Sequence, residues 1–193
     1  MVRAGHALTA SVSAILALSH GSVHAASTAP GTDTSVTMRW VDLREDNPSA
    51  ETLRTLWSDR LEIATRRWLK TPSHGKPLPA YTLVHVFAFG ERPVLVSILF
   101  NMYDCELPGN GAGADLFARC PMRIVAGGAG PARITQVARA CHLYVPEPAN
   151  TTEGPDPRQN KTRVSLDPGG TLHLRVVQHG RAVPSCDLDL RLE

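Results

Sequence analysis

Residues 81–102 read YTLVHVFAFGERPVLVSILFNM and hold the strongest strand patterns in this 193-residue chain. Two runs, 81–89 and 93–102, are rich in β-branched and aromatic side chains, and the Gly-Glu-Arg at 90–92 between them is typical of a hairpin connection. Because nearly every residue of both runs is apolar, we expect two central strands that are covered on both faces. The cover for one face is expected from the segment that precedes the hairpin.

That preceding segment, residues 45–70, carries the clearest helical pattern, EDNPSAETLRTLWSDRLEIATRRWLK. Asn47 suits the N-cap and Pro48 the first helical position, and Glu51 complements the helix dipole in the first turn. The apolar residues that recur at three- and four-residue spacing, and so form one stripe, are Leu53, Leu56, Trp57, Leu61, Ala64 and Trp68. We therefore predict one amphipathic helix lying on the sheet.

Further strands are predicted on both sides of this helix and hairpin. Their ranges are 35–43, 122–126, 133–145, 162–166, 171–177 and 187–192. Residues 146–160, PEPANTTEGPDPRQN, contain four prolines and predict a long loop. The predicted fold class is α+β: one N-terminal amphipathic helix packed on a predominantly antiparallel sheet of seven to eight strands, with two disulfides, in a single domain over 35–193.

The first 25 residues, MVRAGHALTASVSAILALSHGSVHA, have the plan of a secretory signal peptide. Arg3 precedes a short apolar stretch, and small residues stand before the expected cleavage site at Ala25. A membrane anchor needs about 20 mostly apolar residues, and the polar Ser-His at 19–20 interrupts the run too early. We expect export with cleavage near Ala25, a flexible lead-in over 26–34 and no integral membrane segment after cleavage.

The charge balance restricts the partners. Without residues 1–25 the chain would hold 168 residues with 19 Lys and Arg against 18 Asp and Glu. Binding to nucleic acid or to anionic membranes needs a concentrated basic face, so we expect no nucleic-acid partner. Arginine greatly outnumbers lysine, and Ala, Gly and Pro are abundant, as in proteins of high-GC bacteria; the predicted compartment is the periplasm.

Four cysteines stand in the part that follows the signal peptide: Cys105, Cys120, Cys141 and Cys186. An even number in an exported chain predicts two disulfides. Of the three connectivities we favour Cys105–Cys120, which brackets one loop, with Cys141–Cys186, which joins two later apolar strands. Each bridge would contribute about 3 to 4 kcal/mol to stability by the loop-entropy estimate.

The loop between the first two cysteines, CELPGNGAGADLFARC, resembles a phosphate-binding loop only in its glycines. A P-loop leads into Gly-Lys-Ser/Thr and a helix, whereas these glycines lead to Ala-Asp-Leu at 114–116. The second glycine cluster, 126–132, lacks the dinucleotide spacing. Export also favours bridged cysteines over a thiolate nucleophile, and no cofactor is expected.

Other catalytic patterns are weak or missing. Asp104 and Glu106 form one carboxylate pair and Asp187 and Asp189 another, but pairs at this spacing are common on exposed strand faces. The second pair follows the regular alternation of an outer face, so we interpret it as structural. Zinc motifs such as His-x-x-x-His or Cys-x-x-Cys do not occur after the predicted signal peptide, which itself holds one at residues 20–24. No metal is expected, although a site built from distant histidines stays an alternative.

A role in binding a protein partner requires no catalytic or metal-binding motif in the sequence. A Cys105–Cys120 bridge would pre-order the loop and lower the entropy cost of presenting its distal arm to a partner. The predicted partner-binding residues are Asp115, Leu116, Phe117 and Arg119. The alternative is that Leu116 and Phe117 fold back onto the sheet and that the disulfide only stabilises a long loop, without a role in binding.

These features favour a small exported binding or inhibitor protein over an enzyme. Its partner would be a protein, such as an exported enzyme or toxin, and the specific hypothesis is an immunity protein that neutralises a cell-wall-targeting toxin. One alternative is a structural or assembly accessory of a bacterial envelope machine. Another is a divergent cell-wall hydrolase that uses Asp104, Glu106 and a histidine.

Overall fold

The computed structural model describes residues 35–71, 75–90, 92–106, 117–127, 132–143 and 158–192. In chain order the elements are β1 (Val36–Thr37), β2 (Arg39–Asp42), α1 (Pro48–Leu56), α2 (Ser58–Trp68), β3 (Tyr81–Phe89), β4 (Arg92–Phe100), β5 (Phe117–Ala126), β6 (Arg133–Leu143), β7 (Lys161–Leu166), β8 (Thr171–Gln178), β9 (Arg181–Ala182), a short 3₁₀ helix (Pro184–Cys186) and β10 (Leu188–Arg191). The predicted signal peptide, the lead-in and most of the 146–160 loop lie outside the described residues.

The described strands form two sheets of five strands each. The first sheet has the order β1-β7-β8-β10, with β9 also paired to β8, and the second has the order β2-β3-β4-β5-β6. Every pairing is antiparallel. The α+β class is confirmed, whereas the prediction of one sheet with seven to eight strands is wrong.

The division into two sheets begins within the segment predicted as a single strand. β1 pairs with β7 in the first sheet and β2 pairs with β3 in the second, and between them the Met38 amide donates to the Thr162 carbonyl at 2.9 Å. The chain therefore leaves one sheet and enters the other without a turn. Alternation of side chains shows which face of a strand is buried but not which strand it pairs with, so the sequence predicted one strand here.

The main core lies between the two sheets. Val96 and Ile98 of β4 and Ile124 of β5 pack there against Val164 and Leu174 of the first sheet, and all five are almost fully buried. The opposite face of the second sheet carries the helices. The prediction that the hairpin strands are covered on both faces is correct, and the cover that the sequence did not identify is the first sheet.

The helix layer packs on the second sheet through a separate cluster. Leu53 and Trp57 lie against Leu95 and Leu99 of β4 and Val125 of β5. The even and odd residues of β4 thus enter two different cores, since successive strand residues point to opposite faces. Three layers result: first sheet, second sheet and helices.

The predicted single helix over 45–70 is two helices that join at Trp57. Asn47 caps α1 as predicted, accepting a hydrogen bond from the Ala50 amide at 2.8 Å. The break has a tertiary cause: the Leu56 carbonyl accepts from the buried guanidinium of Arg123, while the Arg60 amide donates to the Trp57 carbonyl instead. Neither helix among the described residues is long and apolar enough to span a bilayer.

Arg123 of β5 ties the helix layer to the sheet. Its guanidinium donates to both carboxylate oxygens of Asp59, at 2.9 and 2.7 Å, and lies 4.5 Å from the centroid of the Trp57 ring. The Trp57 indole N–H in turn donates to the buried Ser97 hydroxyl at 2.9 Å. Hydrogen bonds from Arg123 hold the pKa of Asp59 below its ordinary value, although partial burial opposes them.

Candidate functional site

Both favoured disulfides are present, Cys105–Cys120 and Cys141–Cys186. They leave the β5–β6 ladder at neighbouring positions, because Cys120 pairs with Ala140 and Cys141 pairs with Arg119. β6 is an edge strand of the second sheet, and its bridge to Cys186 ties it to the segment that follows β9. We call this region, with the two disulfides and the charged residues Glu106, Arg119 and Arg139, the bridged edge.

The base of the loop between Cys105 and Cys120 is closed by backbone hydrogen bonds as well as by the disulfide. The Glu106 amide donates to the Arg119 carbonyl and the Arg119 amide donates to the Glu106 carbonyl, both at 2.9 Å. A side-chain ion pair between Arg139 of β6 and Glu106 adds a third attachment. The connection 107–116 therefore starts and ends at a rigid base, and the predicted binding residues Asp115 and Leu116 within it lie outside the described residues.

The two predicted binding residues that the structure describes differ in exposure. Phe117 is the first residue of β5, is 6% exposed and belongs to the core between the sheets. Its ring contacts the sheets, as in the alternative in which the distal arm folds back. Arg119 is exposed, and its guanidinium has no ion-pair or hydrogen-bond partner among the described residues. Of the four, Arg119 is the one that the structure shows on the surface.

The two acidic residues that a hydrolase would need stand on either side of Cys105. The Asp104 carboxylate accepts from the Asn101 side-chain amide at 2.7 Å and lies 3.4 Å from the Arg60 guanidinium, with 10% of its side chain exposed. Glu106 pairs with Arg139. Each carboxylate is thus held by a cation and stabilises the entry to the bridged edge.

A second charged cluster covers the outer face of the first sheet. Ser165, His173 and Asp189 stand directly opposite one another on β7, β8 and β10. The His173 ring contacts two carboxylates, with Nδ1 2.7 Å from Asp189 and Nε2 3.5 Å from Asp167. A Ser-His-Asp triad would need the serine hydroxyl on Nε2, and no hydrogen bond joins Ser165 to His173 in the described part of the chain.

Arg175 completes this cluster by bridging the two aspartates of the second carboxylate pair. Its guanidinium lies 2.7 Å from Asp189 and 3.7 Å from Asp187. The pKa of Asp189 is lowered first by the hydrogen bond from His173 and next by that from Arg175. The pKa of Asp167 is lowered mainly by the hydrogen bond from the Thr171 amide. Exposed, mutually neutralising charges of this kind tie neighbouring strands together.

The sequence did not predict that the two disulfides are adjacent or that His173 contacts Asp189, and the reason is the same for both. The adjacency of the two bridges and the contact of His173 with Asp189 depend on which residues face each other across strands. Had the register of β8 with β10 been known, the alternation of His173 and Arg175 opposite Asp187 and Asp189 would have indicated the ion network. Among the described residues no three potential metal ligands come together in a metal-binding arrangement.

Comparison with known protein families, with characterised proteins and with solved structures finds no match to this chain.

Proposed function

We propose that this chain is an exported binding protein of the periplasm that recognises a protein partner through the bridged edge, as an immunity or inhibitor protein does. The observation that supports the proposal is the convergence of both disulfides on adjacent positions of one edge ladder. Three of the four cysteines are buried in the core between the sheets, so the bridges anchor this edge to the core. An edge held in this way keeps its shape before binding, which lowers the entropy cost of recognition.

The chemistry of the surface fits a protein partner with acidic groups. Arg119 is exposed beside an already paired Glu106–Arg139 couple, so its guanidinium is available to a carboxylate. Arginine in such a setting forms bidentate, directional contacts and is enriched among the residues that dominate binding energy. The two backbone bonds between Glu106 and Arg119 fix the position from which the guanidinium extends.

The experiment begins with capture of a stoichiometric partner from periplasmic extract on the full chain, with disulfides kept oxidised. The purified partner is then titrated with the wild type and with Arg119→Ala by calorimetry. We expect the substitution to weaken binding by at least about tenfold, as for an interface residue of high energetic weight, with an unchanged melting temperature because the side chain is exposed. If the partner is an enzyme, the wild type should inhibit it and Arg119→Ala should inhibit it less.

The matched control is Arg191→Ala. Arg191 is also an exposed arginine whose side chain has no bonding partner in the described residues, but it lies at the end of β10 that is farther along the chain from Cys186. It should bind the partner like the wild type. Equal weakening by both substitutions, or wild-type affinity of Arg119→Ala, would contradict binding through the bridged edge.

A further inference from the structure

The hairpin between β8 and β9 turns through His179 and Gly180, which both have positive φ, 50° and 74°. This is the pattern of a two-residue type I′ connection, where asparagine or glycine usually stands first. A side chain crowds its own backbone in the left-handed region, and glycine or a short amide that bonds locally is accommodated better than an imidazole. A non-glycine residue kept in this conformation raises the question of what its side chain does.

The strained conformation is held from outside the hairpin. The His179 amide donates to the Asn160 side-chain oxygen at 3.0 Å, and the Gly180 amide donates to the Gln159 carbonyl at 2.9 Å. Both bonds use backbone donors of the hairpin, so neither requires an imidazole at position 179. The imidazole itself is exposed and has no hydrogen-bond partner in the described part of the chain.

Arg181 directly follows the two turn residues and stands opposite Gln178. It is exposed, and its guanidinium has no ion-pair or hydrogen-bond partner among the described residues. His179 and Arg181 line one shallow depression of about 370 Å³. Its remaining described lining residues are Gln178, Ala182 and Val183. Two side chains that can donate hydrogen bonds thus share a concave surface and leave their donors unused.

The neighbouring strand β7 and the turn before it add positive charge beside the hairpin. Residues 158–163 and 176–183 include Arg158, Lys161, Arg163 and Arg181 and contain no aspartate or glutamate. Pairing places the two segments side by side, since Lys161 stands opposite Val177. A concentration of one charge sign around a concave surface raises the local concentration of ligands of the opposite sign.

We propose that the tip of the β8–β9 hairpin binds an oxyanion, a carboxylate or phosphate group, through the guanidinium of Arg181 and a ring N–H of His179. The planar guanidinium offers two parallel donors that match two oxygens of such a group. The left-handed turn brings the imidazole to the rim of the same depression. The proposed binding groups, His179 and Arg181, are not part of the bridged edge, and the proposal does not depend on the partner proposed there.

The test uses the ring signals of His179 in the isotopically labelled full chain, followed by NMR. Sodium phosphate and sodium acetate are titrated separately at an ionic strength kept constant with sodium chloride. We expect saturable shifts, with dissociation constants on the order of 1 mM for probes this small. Saturation by both probes assigns a general oxyanion site, and saturation by one of them assigns that group. Shifts that fail to saturate with either probe overturn the proposal.

Three variants separate the site from general charge attraction. Arg181→Gln should raise the dissociation constant at least about tenfold, because charge-assisted hydrogen bonds are lost. Arg191→Gln makes the same charge change on β10 and should bind like the wild type. His179→Asn suits the left-handed turn better, so it should keep or raise the melting temperature while weakening binding. Equal losses in the two arginine variants, or full binding by His179→Asn, would refute the assignment.

Discussion

Replacing Asp59 by asparagine removes the negative charge that faces the buried guanidinium of Arg123. The pair is bidentate, with nitrogen–oxygen distances of 2.9 and 2.7 Å, and the arginine also stacks on Trp57. Asparagine keeps the size of the side chain and one acceptor oxygen, so the substitution tests the charge rather than the packing. Arg123 would keep its other contacts but would lose the carboxylate that compensates its charge.

The magnitude follows from the unequal exposure of the two side chains, 6% for Arg123 and 53% for Asp59. Hydrogen bonds to charged groups contribute about 1.5–3 kcal/mol net, and water that reaches the half-exposed aspartate places this pair at the lower end. We therefore expect Asp59→Asn to lower the free energy of unfolding by about 1.5 kcal/mol at neutral pH. For a domain of this size that is a loss of about 3–6 °C in melting temperature.

The matched control is Glu62→Gln on the same helix. Glu62 lies 3.6 Å from Arg66 in an exposed pair one turn apart, which is worth about 0.5 kcal/mol or less. Urea unfolding followed by far-UV circular dichroism, with the disulfides oxidised, measures both variants. Equal effects of the two substitutions would refute the claim that burial of Arg123 makes its ion pair strong.

The pH dependence gives a second check on the same pair. The pKa of Asp59 is lower in the folded state than its ordinary value of 3.8, so its charge stabilises the fold above that value and the contribution disappears as the pH falls through the folded pKa. The difference in stability between wild type and Asp59→Asn should stay constant from about pH 7 to about pH 5 and shrink below pH 3.8. A difference that persists in acid would show that the carboxylate charge is not its source.

Changing Cys141 and Cys186 together to serine should lower the free energy of unfolding by about 4 kcal/mol, because this bridge spans 45 residues. Changing Cys105 and Cys120 to serine should lower it by about 3 kcal/mol, because this bridge spans 15 residues. Guanidinium unfolding of the two double variants measures this, and a larger loss for the shorter loop would contradict the loop-entropy argument. His173→Gln should raise the pKa of Asp189, because the hydrogen bond from His173 is the main cause that lowers it. The pKa of Asp167 should rise less, because its main hydrogen bond, from the Thr171 amide, is kept. NMR titration of the carboxyl carbons reports both, and an unchanged pKa of Asp189 would contradict the contact.

Elements whose cause is local could be predicted from the sequence. The hairpin strand 81–89 was placed with the bounds that the structure has, and Asn47 was identified as the cap of α1. The reason is that strand alternation, turn residues and helix caps each depend on residues within a few positions of one another. The disulfide pairing that was favoured among the three connectivities is also present, although Cys186 ends a 3₁₀ helix and does not lie in a strand.

Elements that depend on distant residues could not be predicted. The single helix predicted over 45–70 breaks at Trp57 because Arg123, far along the chain, takes the Leu56 carbonyl. The predicted strand over 35–43 divides between two sheets because Thr162 bonds to Met38. In the candidate site, Phe117 was predicted as a binding residue beside Arg119, but only the packed core shows that its ring is buried.

By itself the sequence determined the class of the fold, the hairpin at its centre, the capped helical segment and the two disulfides. The tertiary structure alone decided that a second sheet covers the hairpin, that both bridges meet on one edge, and that His179 and Arg181 share a depression. The physical reason is that the periodicity of a segment shows how much of each face must be buried. Which segment covers that face is decided by contacts between residues far apart in the chain, and those form only when the whole fold is assembled.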